Sequence, residues 1–383
     1  MPEQIDPLTG IRGVAAAWVV TFHLQLLTPE IAIGGPVLDP VVLSGNLGVD
    51  LFFILSGFVI SYTYLGRLSR PQPGAVSRFF LLRVARIYPA HLVTFLAAAV
   101  LIGLASLAGA TFVFGDRYTP LTFVMNLAMM QAVPPAVAWN DPAWSISTEF
   151  AAYLAFPLLA LVLPRLPKWL TLTLTGVLLA TAVVGLSSLL ATADQWPYWS
   201  GYALMWMRIA LAFPLGCLLF LIWSWIPRDP GHRWGGWLVL GGTAGTIAAC
   251  VLTPAGPVVT LPVAAYPFLC MAILGAALQG GVANRLLGSR VLTWAGRISY
   301  SVYLTHFLVL LVIGTVLERL DLVPTGFLHA ALWLVAWAII VGVGAATYYL
   351  VEEPGRVAIR RFADARATAR QARKTPPEQS AGA

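Results

Sequence analysis

Long apolar runs recur along almost the whole chain, separated by short polar segments. A membrane-spanning helix takes about 20 consecutive, mostly apolar residues. Runs close to this length lie at about residues 11–30, 46–65, 87–110, 142–163, 169–191, 201–226, 235–254, 258–280, 298–319 and 328–351. The pattern therefore predicts an all-α polytopic membrane protein, a bundle of about ten transmembrane helices.

One further apolar run, at 119–137, is shorter and is broken by Pro120, Pro134 and Pro135. Proline interrupts helical hydrogen bonding. We therefore expect a short interfacial or partly inserted helix here, and no additional span.

Composition agrees with a membrane protein of one domain. Of the 383 residues 59% are hydrophobic and 10% are charged, whereas soluble proteins carry about 25% charged residues. We expect residues 1–356 to form the transmembrane domain and residues 357–383 to form a basic cytoplasmic tail that is partly disordered. No internal repeat, nucleotide-binding loop or nucleic-acid-binding pattern stands out. The three cysteines lie in apolar runs with no CxxC spacing, so no metal site is predicted.

The basic residues predict the orientation. With ten spans, twenty of the 23 Lys and Arg residues fall on the side of the two termini. Arg117 and Arg319 fall on the other side, and Arg208 lies within a span. By the positive-inside rule, both termini are cytoplasmic. No cleavable signal peptide is recognisable in residues 1–9, so a multi-pass protein of the cytoplasmic (inner) membrane is expected.

Ionisable side chains within spans are costly and mark functional sites. Arg12 and His23 share the first span. Eleven residues rotate a helix through about 1100° and advance it about 16 Å, which leaves both side chains on one face. We therefore predict a cavity lined by both, with Arg12 at the cytoplasmic surface and His23 past mid-membrane. The alternative for His23 is a core histidine bonded to a nearby carbonyl.

A second ionisable position is Glu149. Asp141 and Pro142 are typical of a helix start, and Ser145 and Glu149 then share one face. Glu149 would lie near the depth of His23, where a histidine and a carboxylate can act as an acid/base pair. The alternative is a structural ion pair with Arg208.

Asp50 and His306 are two further ionisable residues in spans. Asp50 is expected at a depth similar to that of His23, or else as a helix cap. His306 is expected about two turns from the cytoplasmic side, where it could line a cavity together with Tyr300. An ordinary buried, hydrogen-bonded histidine is the alternative.

Three arginines follow the second span, at positions 78, 83 and 86. On a helix Arg78, Arg83 and Arg86 would fall within an arc of about 140°. Such a cluster is suited to binding phosphates. It would also serve the positive-inside rule alone.

Six segments in this order resemble the motifs of acyltransferase family 3, integral-membrane enzymes that O-acylate bacterial surface sugars and some antibiotics. The first is arginine, ten residues and histidine, as in Arg12 and His23. The others are GVDLFFILSGFVI at 48–60, RFFLLRVARIYP at 78–89, WSISTEF at 144–150, GRISYSVYLTH at 296–306 and VEEP at 351–354. The resemblance covers about residues 8–356 and implies the stand-alone type, without a fused SGNH domain. Thr9 stands where the family usually has aspartate.

The resemblance implies transfer of an acyl group, expected to be acetyl, from acyl-CoA to a hydroxyl of a carbohydrate or of another small, glycosylated or lipid-linked acceptor. Acyl-CoA, expected to be acetyl-CoA, would be a co-substrate, and no permanently bound cofactor is implied. Its phosphates would bind the three arginines with help from Arg12. His23 would act as general base, oriented by Glu149, or form an acyl-histidine intermediate. Arg208 or Ser145 would stabilise the oxyanion or place the acceptor.

Two other classes of function remain open at this point. A secondary transporter of a sugar or lipid-linked intermediate also uses ionisable residues within the membrane. A membrane sensor or scaffold would not need Arg12 and His23 in register. The acceptor, its side of entry, the acyl length and the oligomeric state are not determined by the sequence.

Overall fold

The computed structural model describes residues 4–35, 38–70, 72–109, 115, 118–191, 197–227, 234–253 and 261–372. Within these ranges the protein is built from helices and short turns, and no strand occurs. The predicted all-α fold is confirmed.

Fourteen α-helices are found in the described ranges. They are α1 (Asp6–Leu27), α2 (Asp39–Leu43), α3 (Leu47–Leu68), α4 (Ala75–Leu107), α5 (Pro120–Leu127), α6 (Trp144–Val162), α7 (Lys168–Ala191), α8 (Pro197–Trp225), α9 (Trp234–Leu252), α10 (Tyr266–Leu278), α11 (Gly281–Leu287), α12 (Arg290–Arg319), α13 (Gly326–Thr347) and α14 (Glu353–Ala372). A π-helical turn, Tyr348–Glu352, joins α13 to α14.

Nine helices in the described part of the chain are long and apolar enough to cross a membrane. A tenth is counted if the segment Val263–Leu278 and α11, which meet at a bend of 86°, form one broken span. The predicted span at 258–280 is therefore the bent one, and residues 258–260 lie outside the described ranges. The protein is a multi-pass membrane protein.

The short run at 119–137 forms only the eight-residue α5 followed by turns. Thr119 and Thr122 bond reciprocally at its start, which fixes where the helix begins. Eight residues rise about 12 Å, so α5 is too short to cross a bilayer.

The start of α6 differs from the prediction. Asp141 and Pro142 belong to a 3₁₀ turn that precedes the α-helix, and the Asp141 side chain caps nothing. Asp141 is exposed instead, which leaves its carboxylate available to act on a neighbouring group.

Two close helix contacts position the polar side chains discussed below. A Cβ atom at Gly296 would collide with the carbonyl of Thr9, so glycine is needed where α12 crosses α1. A Cβ at Gly57 would likewise meet the carbonyl of Phe213, where α3 crosses α8.

The predicted tail begins inside α14, which packs along α4. Arg78 on α4 forms an ion pair with Asp364 on α14. Residues 373–383 lie outside the described ranges, as do the loop arginines Arg117, Arg228 and Arg233.

Candidate active site

A cavity of about 750 Å³, including the part open to solvent, lies among α1, α3, α4, α6 and α12. Its apolar wall comes mainly from α3. Its polar lining comprises Arg12, Ser56, Arg83, Arg86, Ser145, Glu149, Tyr153, Tyr300 and Tyr303. Three arginines and one carboxylate give the lining a net positive charge.

The arginines of the cavity are held by aromatic rings and hydroxyls. Arg83 donates to the hydroxyl of Tyr64 at 2.9 Å and lies over its ring. Its Nε is buried and has no partner. Arg86 lies over the ring of Tyr300, whose hydroxyl donates to the carbonyl of Ile87 at 2.7 Å. These contacts fix both guanidinium groups at the cavity wall.

Of the four arginines predicted to bind the donor, Arg78 alone lies outside the cavity. Arg12 lines the cavity, as predicted. Arg78 does not line the cavity. It pairs with Asp364 at 2.7 Å, and its side chain is 38% exposed. The reason is that Arg78 lies about 12 Å along α4 from Arg86, where α14 covers the helix.

Glu352 is a site residue that the sequence reasoning missed. Its side chain is fully buried, and its carboxylate pairs with Arg86 and accepts a hydrogen bond from Ser301 at 2.6 Å. The π-helical turn, a frequent feature of functional sites, carries Glu352 to this position. Its sequence signal is the VEEP segment at 351–354, which resembles a family motif and places a carboxylate at the end of an apolar span.

Glu149 faces the cavity from α6. Its Oε1 accepts hydrogen bonds from Ser56 at 2.7 Å and from Tyr153 at 2.6 Å. Among the described residues, no Lys or Arg nitrogen lies within 4.0 Å of its carboxylate. The alternative of an ion pair with Arg208 is therefore wrong, and Glu149 is not placed against His23 either.

His23 is paired with His306. The Nδ1 atom of His23 lies 3.2 Å from Nε2 of His306 and 3.0 Å from the carbonyl oxygen of Val19. Nδ1 of His306 lies 3.3 Å from the carbonyl oxygen of Val302. His306 is fully buried and His23 is half-buried.

These contacts assign the tautomers. A ring nitrogen that faces a carbonyl oxygen carries a proton, and the other nitrogen of a neutral ring accepts. His306 is then protonated on Nδ1 and accepts on Nε2, and His23 is protonated on Nδ1. The Nε2 of His23 keeps its lone pair, and no described residue forms a hydrogen bond with it. This is the protonation state that a general base requires.

His306 lies further from the start of its helix than the two turns that were predicted. Helix α12 begins at Arg290 and not at about 298, so His306 lies sixteen residues, about 24 Å, along it. His306 therefore meets the far end of α1. From α12, Tyr300 and Tyr303 line the cavity in its place.

One layer of side chains separates the cavity from the two histidines. The hydroxyl of Tyr303 lies 2.8 Å from Oγ of Ser145, and both residues line the cavity. The Tyr303 ring lies 5.8 Å from the His306 ring, which lies 4.9 Å from the His23 ring. The predicted cavity shared by Arg12 and His23 is thus interrupted at Tyr303.

Asp50 and Arg208 form a buried structural pair outside the cavity lining. Arg208 donates to both carboxylate oxygens of Asp50, at 3.0 and 2.7 Å. Asp50 also accepts from Tyr266, and Arg208 donates to the carbonyl of Asn46. Asp50 makes no side-chain cap and does not contact His23. The guanidinium of Arg208 lies over the ring of Trp144, beside Ser145, so the pair contacts the site only indirectly.

No group of three His, Cys, Asp or Glu side chains in the described part of the chain is placed to hold a metal ion. Cys217, Cys250 and Cys270 are buried and free.

Comparison with known proteins gives one family and several relatives. The model of acyltransferase family 3, described as an acyltransferase domain, matches residues 5–350. Acyltransferase MdmB of Streptomyces mycarofaciens is 32% identical over 333 residues, which cover 80% of this chain and 79% of that protein. Peptidoglycan O-acetyltransferase OatA of Listeria monocytogenes is 25% identical over 343 residues. Putative peptidoglycan O-acetyltransferase YrhL of Bacillus subtilis is 23% identical over 397 residues. The matched regions cover about half the length of OatA and YrhL, at 51% and 55%. No solved structure matches the chain.

Proposed function

The chain belongs to acyltransferase family 3. We propose that it transfers an acyl group, most readily acetyl, from acyl-CoA to a hydroxyl group. The acceptor is a carbohydrate or a glycosylated or lipid-linked molecule. The protein is an acyl-transferring enzyme with several membrane spans. Two relatives are named for O-acetylation of a glycan, which supports a carbohydrate acceptor. The observation that carries the mechanism is the free Nε2 of His23, one side-chain layer from an arginine-lined cavity.

The donor is proposed to bind in the cavity. Phosphates are bound well by arginines that other contacts hold in place, and Arg83 and Arg86 are held in this way. Arg12 adds a third positive charge. In the proposed orientation, with both termini in the cytoplasm and the protein in the inner membrane, this end of the cavity opens toward cytoplasmic acyl-CoA.

Transfer is proposed to take place at the layer formed by Tyr303 and Ser145. Nε2 of His23 takes the proton of the acceptor hydroxyl as its oxygen attacks the thioester carbonyl carbon. The C–S bond then breaks, and the departing thiolate takes the proton back from His23. The hydroxyls of Ser145 and Tyr303 each lie 3.0 Å from the carbonyl oxygen of Pro142. In the proposed step they rotate from this carbonyl and donate to the oxyanion that forms between these steps.

Two assigned roles change within this proposal. His306 accepts the Nδ1 proton of His23 and so holds the tautomer and the ring orientation, as a positioning residue. Glu149 lies among the donor-binding groups, where its carboxylate can accept from amide N–H groups of the pantetheine arm. A route through an acyl-His23 intermediate is the alternative to direct transfer.

The test uses the purified enzyme in lipid nanodiscs with isotopically labelled acetyl-CoA and extracts of candidate glycans and glycolipids. Mass spectrometry of the products, together with extracts from cells with and without the gene, should show one acylated species that depends on the enzyme. The transporter would be favoured instead if no acceptor became labelled and if vesicles that contain the protein took up an acceptor without acyl-CoA.

Arg83→Ala should raise the KM for acyl-CoA about tenfold or more, since a hydrogen bond to a charged group is worth about 1.5–3 kcal/mol. The acceptor KM should stay within twofold, because the guanidinium lies at the end of the cavity away from His23. Arg78→Ala is the matched control, since Arg78 is on the same helix but outside the cavity. Equal donor kinetics for the two variants would remove Arg83 from the donor site.

Glu352→Gln should raise the donor KM by a similar factor, about tenfold, because Arg86 would lose the carboxylate that fixes it. Glu353→Gln is the control, since Glu353 is the next residue but pairs with the exposed Arg356. Steady-state kinetics with acyl-CoA as the varied substrate measure both. An unchanged KM in folded Glu352→Gln would show that Arg86 needs no such support.

A further inference from the structure

The cavity ends in an apolar recess on the side facing the histidines. Its walls are Val49, Phe52 and Phe53 of α3 and Ile146 of α6. Three of these side chains are almost fully buried, and Phe52 alone is partly exposed.

The recess is closed by aromatic packing. The ring of Phe52 lies 6.1 Å from that of Tyr303, edge to face. The ring of Phe53 lies 6.2 Å from that of Trp144, again edge to face. Helix α6 adds Ile146, directly after Ser145. A chain that enters from the arginines therefore meets a wall of rings in this direction.

The recess is also next to the reacting groups. Phe52 contacts Tyr303, Tyr303 contacts His306, and the His306 ring lies 4.9 Å from that of His23. A thioester carbonyl at the Tyr303 and Ser145 hydroxyls would direct its alkyl chain against Phe52. On the opposite side the cavity is lined by charged groups, which do not favour an alkyl chain.

We infer that Val49, Phe52, Phe53 and Ile146 form the acyl-binding subsite, that it takes a short, unbranched aliphatic acyl group, and that Phe52 limits the length of that group. The inference rests on the proposed function, because it assigns a part of the same donor site. One methylene in a hydrophobic pocket changes discrimination by about 10–200-fold, so a single ring can set the preference.

The test compares acetyl-, propionyl-, butyryl- and hexanoyl-CoA as donors for wild type and Phe52→Ala. Wild type should prefer two or three carbons. In Phe52→Ala the ratio of kcat/KM for butyryl-CoA to that for acetyl-CoA should rise about tenfold or more. Phe52→Trp should shift the preference toward acetyl.

Phe58→Leu is the matched control. Phe58 lies on the same helix but packs against Phe220 and Trp223, away from the cavity. Its chain-length preference should equal that of wild type. Should Phe52→Ala fail to fold, Phe52→Leu carries the same comparison with less lost volume.

The outcomes separate the two proposals. If wild type transfers no acyl group from any of the four donors, the proposed function fails. Suppose instead that wild type transfers acetyl. If the Phe52 variants then have the same chain-length ratios as wild type, or if Phe58→Leu changes these ratios as much as they do, the acyl subsite is wrong and the proposed function stands.

Discussion

Replacing His23 by alanine should lower kcat for acyl transfer by about 10²–10⁴-fold, the usual contribution of a general base. The donor KM should change little, because the cavity arginines do not contact His23. The free Nε2 of His23 is the physical reason, since no described residue forms a hydrogen bond with it. The measurement is the pre-steady-state and steady-state rate of acyl release from labelled acyl-CoA in the presence of acceptor.

His329→Ala is the control for this experiment, because His329 lies on α13 and contacts neither His23 nor His306. His306→Leu is the graded variant, since it removes one of the two acceptors near Nδ1 of His23 and leaves the carbonyl of Val19. Its kcat should fall less than that of His23→Ala, with the same KM for donor. A folded His23→Ala protein that transfers acyl groups at the wild-type rate would exclude His23 as the base.

The extent of the helices was predictable from hydropathy, but their polar ends were not. Hydropathy indicates which residues can lie in lipid. A helix can extend beyond them into polar residues, because its backbone hydrogen bonds do not depend on hydropathy. Helix α12 extends from Arg290 through the polar segment before the apolar run. With eight further residues at its start, the helix places His306 sixteen residues from its first residue, level with His23 on α1.

The choice of partner could not be predicted from a single helix. The eleven-residue spacing of Arg12 and His23 correctly predicted that Arg12 faces a cavity, because the direction of a side chain depends on its own helix alone. Which group faces His23 depends on the neighbouring helix. Because Gly296 lets α12 cross closely over α1, the partner is His306 and not Glu149.

The structure also divides the intramembrane charges into two kinds. Asp50 and Arg208 are both buried, and their charges neutralise each other. Arg208 donates a hydrogen bond to each carboxylate oxygen of Asp50. Arg12, Arg83 and Glu149 instead face the cavity and have no ion-pair partner within 4.0 Å among the described residues. Sequence reasoning treated all of these as candidate site residues, because burial and pairing are tertiary properties.

Breaking the Asp50–Arg208 pair should therefore affect stability far more than catalysis. Asp50→Asn leaves a buried guanidinium without its counter-charge, which costs about 3–5 kcal/mol in such pairs. In protein that still folds, the KM for acyl-CoA should stay near the wild-type value, since neither residue lines the cavity. Unfolding in detergent, followed by tryptophan fluorescence as denaturing surfactant is added, measures the loss of stability.

The double variant Asp50→Leu with Arg208→Met shows whether the loss of stability comes from removing the ion pair or from leaving one buried charge without its partner. Apolar side chains of similar volume replace a buried ion pair at little cost or with a gain, so the double variant should be more stable than Asp50→Asn. Arg356→Gln breaks the exposed pair with Glu353 and should cost no more than about 1 kcal/mol. If Asp50→Asn unfolds like wild type but loses acyl transfer, the pair acts in the reaction and its structural assignment is wrong.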